Sequence, residues 1–220
     1  MSEILPGVYL IMRERTYLYR SLVELYRPKL VRPMVENIAQ EQFQALGETI
    51  EKGFDSIKDG HKKICDYVKG KDIDKLIEEL STEYSKLNSK GIFLQRNYDQ
   101  KSKEELLSTL NKFYQQKGNV IENNMELDHF INHCSYMFHL LSQNRVAIIN
   151  RKVEDFYENI KLQNEFLTNY IYNWVPTMCQ RLYSESESEF YKGLSMLTEG
   201  FINVDKDIFN EVMEVCRGLI

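Results

Sequence analysis

Helix-breaking residues are scarce in this chain, and its apolar residues recur at intervals of three and four. Only 10 glycines and 4 prolines interrupt 220 residues, and the interval is that of an α-helix rather than the two-residue alternation of a strand. The pattern predicts an all-α fold, a bundle of eight to ten helices in a single domain spanning residues 1–220. With 43% hydrophobic and 28% charged residues, the composition is that of a chain with a packed core, and this length suits one large domain.

The first helix is predicted over 8–26, with Leu10, Tyr17, Leu18, Leu22, Leu25 and Tyr26 inward, stopping before Pro28. Pro33 suits the first turn of a second helix. The stretch 34–68 carries Val35, Ile38, Phe43, Leu46, Ile50, Phe54, Ile57, Ile64 and Val68, and reads as two helices with Gly47, Gly53 and Gly60 as breaks. Asp72 is placed to cap a helix containing Leu76, Ile77, Leu80, Tyr84 and Leu87, followed by Gly91 in a loop over 89–100. Ser102 and Glu105 form a capping box for a helix ending at Gly118. After a connection over 121–127, the helical pattern runs from Asp128 to Tyr172 with a turn expected at 142–145. The tail reads as a helix over 175–183, a charged turn at SESESE, a helix over 190–202, and a last helix capped by Asp205.

A formal charge of −5 argues against nucleic acid as partner and favours a basic peptide. The start, MSEILPGVYLIMRER, lacks the basic opening and small-residue cleavage site of a secretory signal, and no apolar run approaches the roughly 18 residues that span a bilayer. The expected location is the cytoplasm, with Cys65, Cys134, Cys179 and Cys216 reduced. Their spacing contains no CxxC, so it suggests neither a zinc ribbon nor a redox pair.

Chemistry-bearing side chains are densest in MELDHFINHCSYMFHLL, which holds Glu126, Asp128, His129, His133, Cys134 and His139. His129 and His133 stand four apart, a spacing that shares one helix face and suits a metal. Glu126 and His129 make half of a di-iron site, but no second Glu-x-x-His exists: three residues before His61, His133 and His139 stand Lys58, Phe130 and Tyr136. GxSxG, GxxxxGK[ST] and GxGxxG are all missing, so no nucleophile or phosphate cradle is named. Asp128 with His129 remains as an acid–base pair, or Asp128 as a plain helix cap. The aromatic run Phe166, Tyr170, Tyr172 and Trp174 reads as core, or as the wall of a groove for a partner helix.

These pieces, in this order, resemble the TorD/DmsD/NarJ family of redox-enzyme maturation chaperones. The resemblance rests on Glu126-Leu127-Asp128-His129, then Tyr136-Met137 and Leu140-Leu141, Gln163-x-x-Phe166-Leu167, and Trp174-Val175-Pro176, over about residues 72 to 210. Two positions depart from it. Leu127 stands where the family has proline, and Asn88 closes Tyr84-Ser85-Lys86-Leu87-Asn88 where the family has phenylalanine.

The resemblance implies an all-helical chaperone without catalysis or cofactor of its own. Its partner would be the precursor of a molybdopterin oxidoreductase, held by its twin-arginine leader and apo-form until the molybdenum cofactor is inserted and export is allowed. Glu126 and Asp128 would meet the leader's guanidinium groups, with His129 orienting Asp128 and Tyr84, Leu87 and Met137 receiving the apolar part. The loop over 89–100 would be the hinge if the protein forms a domain-swapped dimer instead of a monomer. The alternative is a helical adaptor with a different protein partner.

Overall fold

The computed structural model describes residues 4–40, 55–116, 118, 121 and 124–217. Among these the chain forms nine α-helices, one 3-10 turn and no β-strand. The helices are α1 (Ile4–Leu25), α2 (Arg32–Ala39), α3 (Asp55–Val68), α4 (Ile73–Ser89), α5 (Lys103–Gln116), α6 (Phe130–Ile149), α7 (Val153–Tyr170), α8 (Val175–Glu185) and α9 (Glu189–Arg217), with the 3-10 turn Gln95–Asn97 between α4 and α5. The all-α expectation holds, and one continuous apolar cluster draws side chains from every helix.

Helix α6 is the centre of the bundle. Every side chain from Phe130 to Met137 is buried, so the first two turns of the helix are covered all round rather than on one stripe. Helix α1 runs antiparallel to it, since Tyr26 meets the Phe130 ring at 4.9 Å near one end and Asn144 approaches Met12 Sδ at 4.0 Å near the other. Helix α9 lies antiparallel along α3. Their backbones touch at a pair of glycines, where a Cβ on Gly60 would stand 2.6 Å from the Gly193 carbonyl oxygen, and one on Gly193 would stand 2.7 Å from that of Gly60. Gly60 is therefore not a break but a point of close helix approach inside α3.

Several caps follow the sequence. Asp72 accepts a hydrogen bond from the Lys75 N–H at 3.0 Å, and Ser102 accepts one from Glu105 N–H at 3.2 Å. Pro33 lies in the first turn of α2, and Gly91 takes a φ of 67°, a left-handed value that needs glycine.

Other expectations are corrected. Leu10 and Tyr17 are both 48% exposed, and Met12 and Tyr19 take the inner face of α1 instead. There is no turn at 142–145: Ser142 donates to the Phe138 carbonyl at 2.8 Å, which keeps its hydroxyl satisfied inside the helix. The break comes later, where Arg151 has a φ of 55°. The tail is one helix, α9, rather than two. Asp205 is buried inside it and binds Arg15 Nε at 2.6 Å instead of capping a new helix. Phe43, Leu46, Gly47, Ile50, Gly53 and Phe54 lie outside the described residues.

Because nothing but hydrogen fits at the α3–α9 crossing, Gly60→Ala is expected to destabilise the protein by about 1–3 kcal/mol. Gly7, in the first helix with open space around it, is the control. Gly7→Ala is expected to leave stability unchanged or raise it by up to about 1 kcal/mol, both read by urea unfolding.

Candidate functional site

The segment 126–129, which leads into α6, is fixed by backbone before any side chain acts. The Asp128 carbonyl accepts the Gln95 N–H at 3.0 Å and the Phe130 N–H reaches the Phe93 carbonyl at 2.9 Å, flanking an isolated antiparallel bridge between Leu94 and His129. The Leu127 carbonyl accepts the Tyr114 hydroxyl at 3.1 Å. The loop over 89–100 is thus a packed connection, with Ile92 and Phe93 fully buried and Tyr98 stacked on Trp174 at 5.6 Å.

This bridge carries Arg96 to Asp128. Arg96 Nε donates to Asp128 Oδ2 at 2.7 Å, its backbone N–H donates to the same oxygen at 3.0 Å, and its terminal nitrogen binds both Asp128 Oδ1 and Glu126. One guanidinium thus spans two carboxylates. Asp128 has no exposed side-chain surface, whereas Arg96 keeps 15% and Glu126 keeps 55%. Burial pushes the Asp128 carboxyl up, but the Arg96 side chain and N–H outweigh it and hold the group below the ordinary carboxylate range. Arg96 was not among the residues singled out in the sequence. It stands in the loop as the only basic residue between Lys90 and Lys101, but nothing in the sequence ties it to Asp128.

His129, not Asp128, is the N-cap of α6. Its Nδ1 accepts the Ile131 N–H at 3.2 Å, so the neutral ring carries its proton on Nε2, which stands 3.0 Å from the Tyr84 hydroxyl. His133 Nε2 lies 2.7 Å from Gln95 Oε1, and the Gln95 amide donates to Asp99 at 2.8 Å. Both imidazoles are turned to protein partners. Among the described residues no three His, Cys, Asp or Glu side chains gather in a way that would hold a metal. Burial is the main cause that lowers both histidines to a pKa of about 4.

The six residues expected to bind a peptide fall into two groups. Glu126, Asp128 and His129 come together at the start of α6, with Tyr84 on His129 and stacked on Phe93 at 5.1 Å. Tyr84, Leu87 and Met137 are all buried in the core. As folded here they present no open groove. Burial also pushes the Tyr84 hydroxyl up. Gln163 and Trp174 act inside the bundle too, since Gln163 accepts from Arg15 at 3.0 Å and Trp174 Nε1 donates to the Tyr170 carbonyl at 2.7 Å.

Two outcomes follow. Asp128→Ala leaves the Arg96 guanidinium without its main partner and is expected to cost about 3 kcal/mol, read by urea unfolding. For the histidines, the unfolded state takes up protons below about pH 6.5 while the native rings stay neutral to about 4. Stability is therefore full above pH 6.5 and is lost as pH falls towards 4. Unfolding at pH 7, 6 and 5 should show proton uptake by this pair rising from below one towards about two, and towards about one in His133→Gln.

No protein-family model matches the chain, and neither a curated protein nor a solved structure is significantly similar to it.

Proposed function

We propose that this protein is a cytoplasmic chaperone that binds the twin-arginine leader and apo-form of a molybdopterin oxidoreductase, assisting cofactor insertion and export proofreading. The observation that supports the reading is that Glu126 and Asp128 hold a guanidinium between them, forked on Asp128. A leader arginine presents the same group, and guanidinium is matched to paired carboxylates by shape as well as charge. The motif pieces around Glu126-Leu127-Asp128-His129 and Trp174-Val175-Pro176 support the family of client. Among the described residues no helix is long and apolar enough to cross a membrane. In this reading Tyr84, Leu87 and Met137 back the site from within the core.

A second reading, a helical adaptor for a folded partner, is favoured by one surface. Val146, Ile149 and Val153 are 56%, 64% and 46% exposed at the α6–α7 corner, beside a groove of about 490 Å³ lined by His139, Ser142, Ala147 and Asn159 among others.

The test is calorimetric titration with leader peptides from molybdoenzymes encoded beside this protein, against peptides with both arginines changed to glutamine. Saturable micromolar binding that the glutamine peptide loses is the expected outcome. Glu126→Gln is expected to weaken it about tenfold without altering thermal stability, because this side chain stands half in solvent. No binding to any leader would defeat the reading and leave the adaptor.

A further inference from the structure

Resting on the guanidinium-binding reading just given, the geometry points to Arg96 as an internal occupant of the leader site: its side chain holds the place of a leader arginine and must swing out before one can enter.

Three observations carry this. First, the receptor carboxylates are not vacant, since Asp128 receives Arg96 through Nε and a terminal nitrogen, and Glu126 receives the same terminal nitrogen. Second, the exchange requires little of the fold. The 3-10 turn that carries Arg96 is fixed by other bonds: Gln95 N–H to the Asp128 carbonyl, Gln95 Oε1 to His133, and the Asn97 amide to the Gly91 carbonyl at 2.6 Å. The Arg96 N–H also keeps its own 3.0 Å bond to Asp128 Oδ2, so the backbone stays while the side chain leaves. Third, the way in lies along the occupant. Asp128 is closed to solvent, but the Arg96 side chain that closes it is 15% exposed and Glu126 beside it is 55% exposed. An arriving guanidinium meets Glu126 first and then takes Asp128 as Arg96 departs.

The buried carboxylate is never left without a cation in such an exchange, which avoids the penalty of an unpaired buried charge. It also sets a threshold. A peptide with one weak cationic contact does not displace a forked pair, whereas two adjacent arginines offer one group for Glu126 and one for Asp128. The internal arginine thus weakens every ligand by the same factor, set by the fraction of time the site stands open, so that a ligand needs the strength of paired arginines to bind at a given concentration.

The experiment compares wild type, Arg96→Gln and Arg96→Lys by calorimetry with one leader peptide and its diglutamine control at pH 7.5, with thermal melting to verify folding. Arg96→Gln is expected to bind the leader at least about tenfold more tightly than wild type, and to accept a peptide with a single arginine that wild type rejects. Arg96→Lys, a point charge without the fork, should fall between the two, and it decides the matter should the glutamine variant not fold. Binding by wild type with equal or weaker binding by both variants would overturn the internal-occupant proposal while leaving the leader reading intact. Binding by the variants alone would support both. No binding by any of the three proteins would overturn both together.

Discussion

A guanidinium enclosed by helices must be met by a carboxylate from elsewhere in the chain, and the bundle is organised around that requirement at Arg15. This side chain is 1% exposed, and Asp205 receives its Nε at 2.6 Å and a terminal nitrogen at 3.3 Å, 190 residues away in sequence. Tyr19 donates to the same carboxylate at 2.9 Å and Gln163 accepts from Arg15 at 3.0 Å. Burial alone would drive the arginine towards neutrality, but Asp205 outweighs it and raises the group above its ordinary range. The first helix, the seventh and the ninth are thereby joined through one buried polar cluster. An apolar contact can slide by a turn, whereas a forked pair fixes register as well as proximity.

The Arg96 pair applies the same chemistry at the edge of the bundle, and position makes the difference. Around Arg15 every partner lies inside, so the pair is locked. Around Arg96 the partner Asp128 lies inside, but Glu126 lies outside and the guanidinium reaches solvent. A locked pair specifies a fold. A pair with one open side can exchange its cation with a ligand of the same chemistry, which is why the functional argument rests here and not on the more deeply buried pair.

Local rules were legible in the sequence where they depend on neighbours in the chain. The caps at Asp72 and Ser102, the helix end before Gly91 and the helix-opening Pro33 are decided within about four residues, and all are found as read. The errors share a different cause. Ser142, Gly60 and Asp205 are residue types that interrupt isolated helices, and here each stands inside one. Tertiary contact reverses the local preference at two of them, where α9 presses on Gly60 and Arg15 claims Asp205, while Ser142 is satisfied within its own helix by the carbonyl four residues back. The cluster from Glu126 to His129 was legible as a group, since its members are adjacent. Its cation was not, because Arg96 arrives from 30 residues away through a backbone bridge that no periodicity announces.

The start of α6 shows why the two acidic-looking roles fall to different residues. An aspartate is the usual N-cap, yet a carboxylate at position 129 would be buried beside Tyr84 and away from Arg96, with its charge answered only by backbone N–H groups. A neutral imidazole does the capping without charge, its Nδ1 taking the Ile131 N–H while Nε2 serves Tyr84. That leaves the Asp128 carboxylate, one residue earlier, free to turn towards Arg96. The Asp-His order therefore separates two tasks that a single residue could not combine: the histidine ends the helix inside the core, and the aspartate carries its charge to the one face where a guanidinium can reach it.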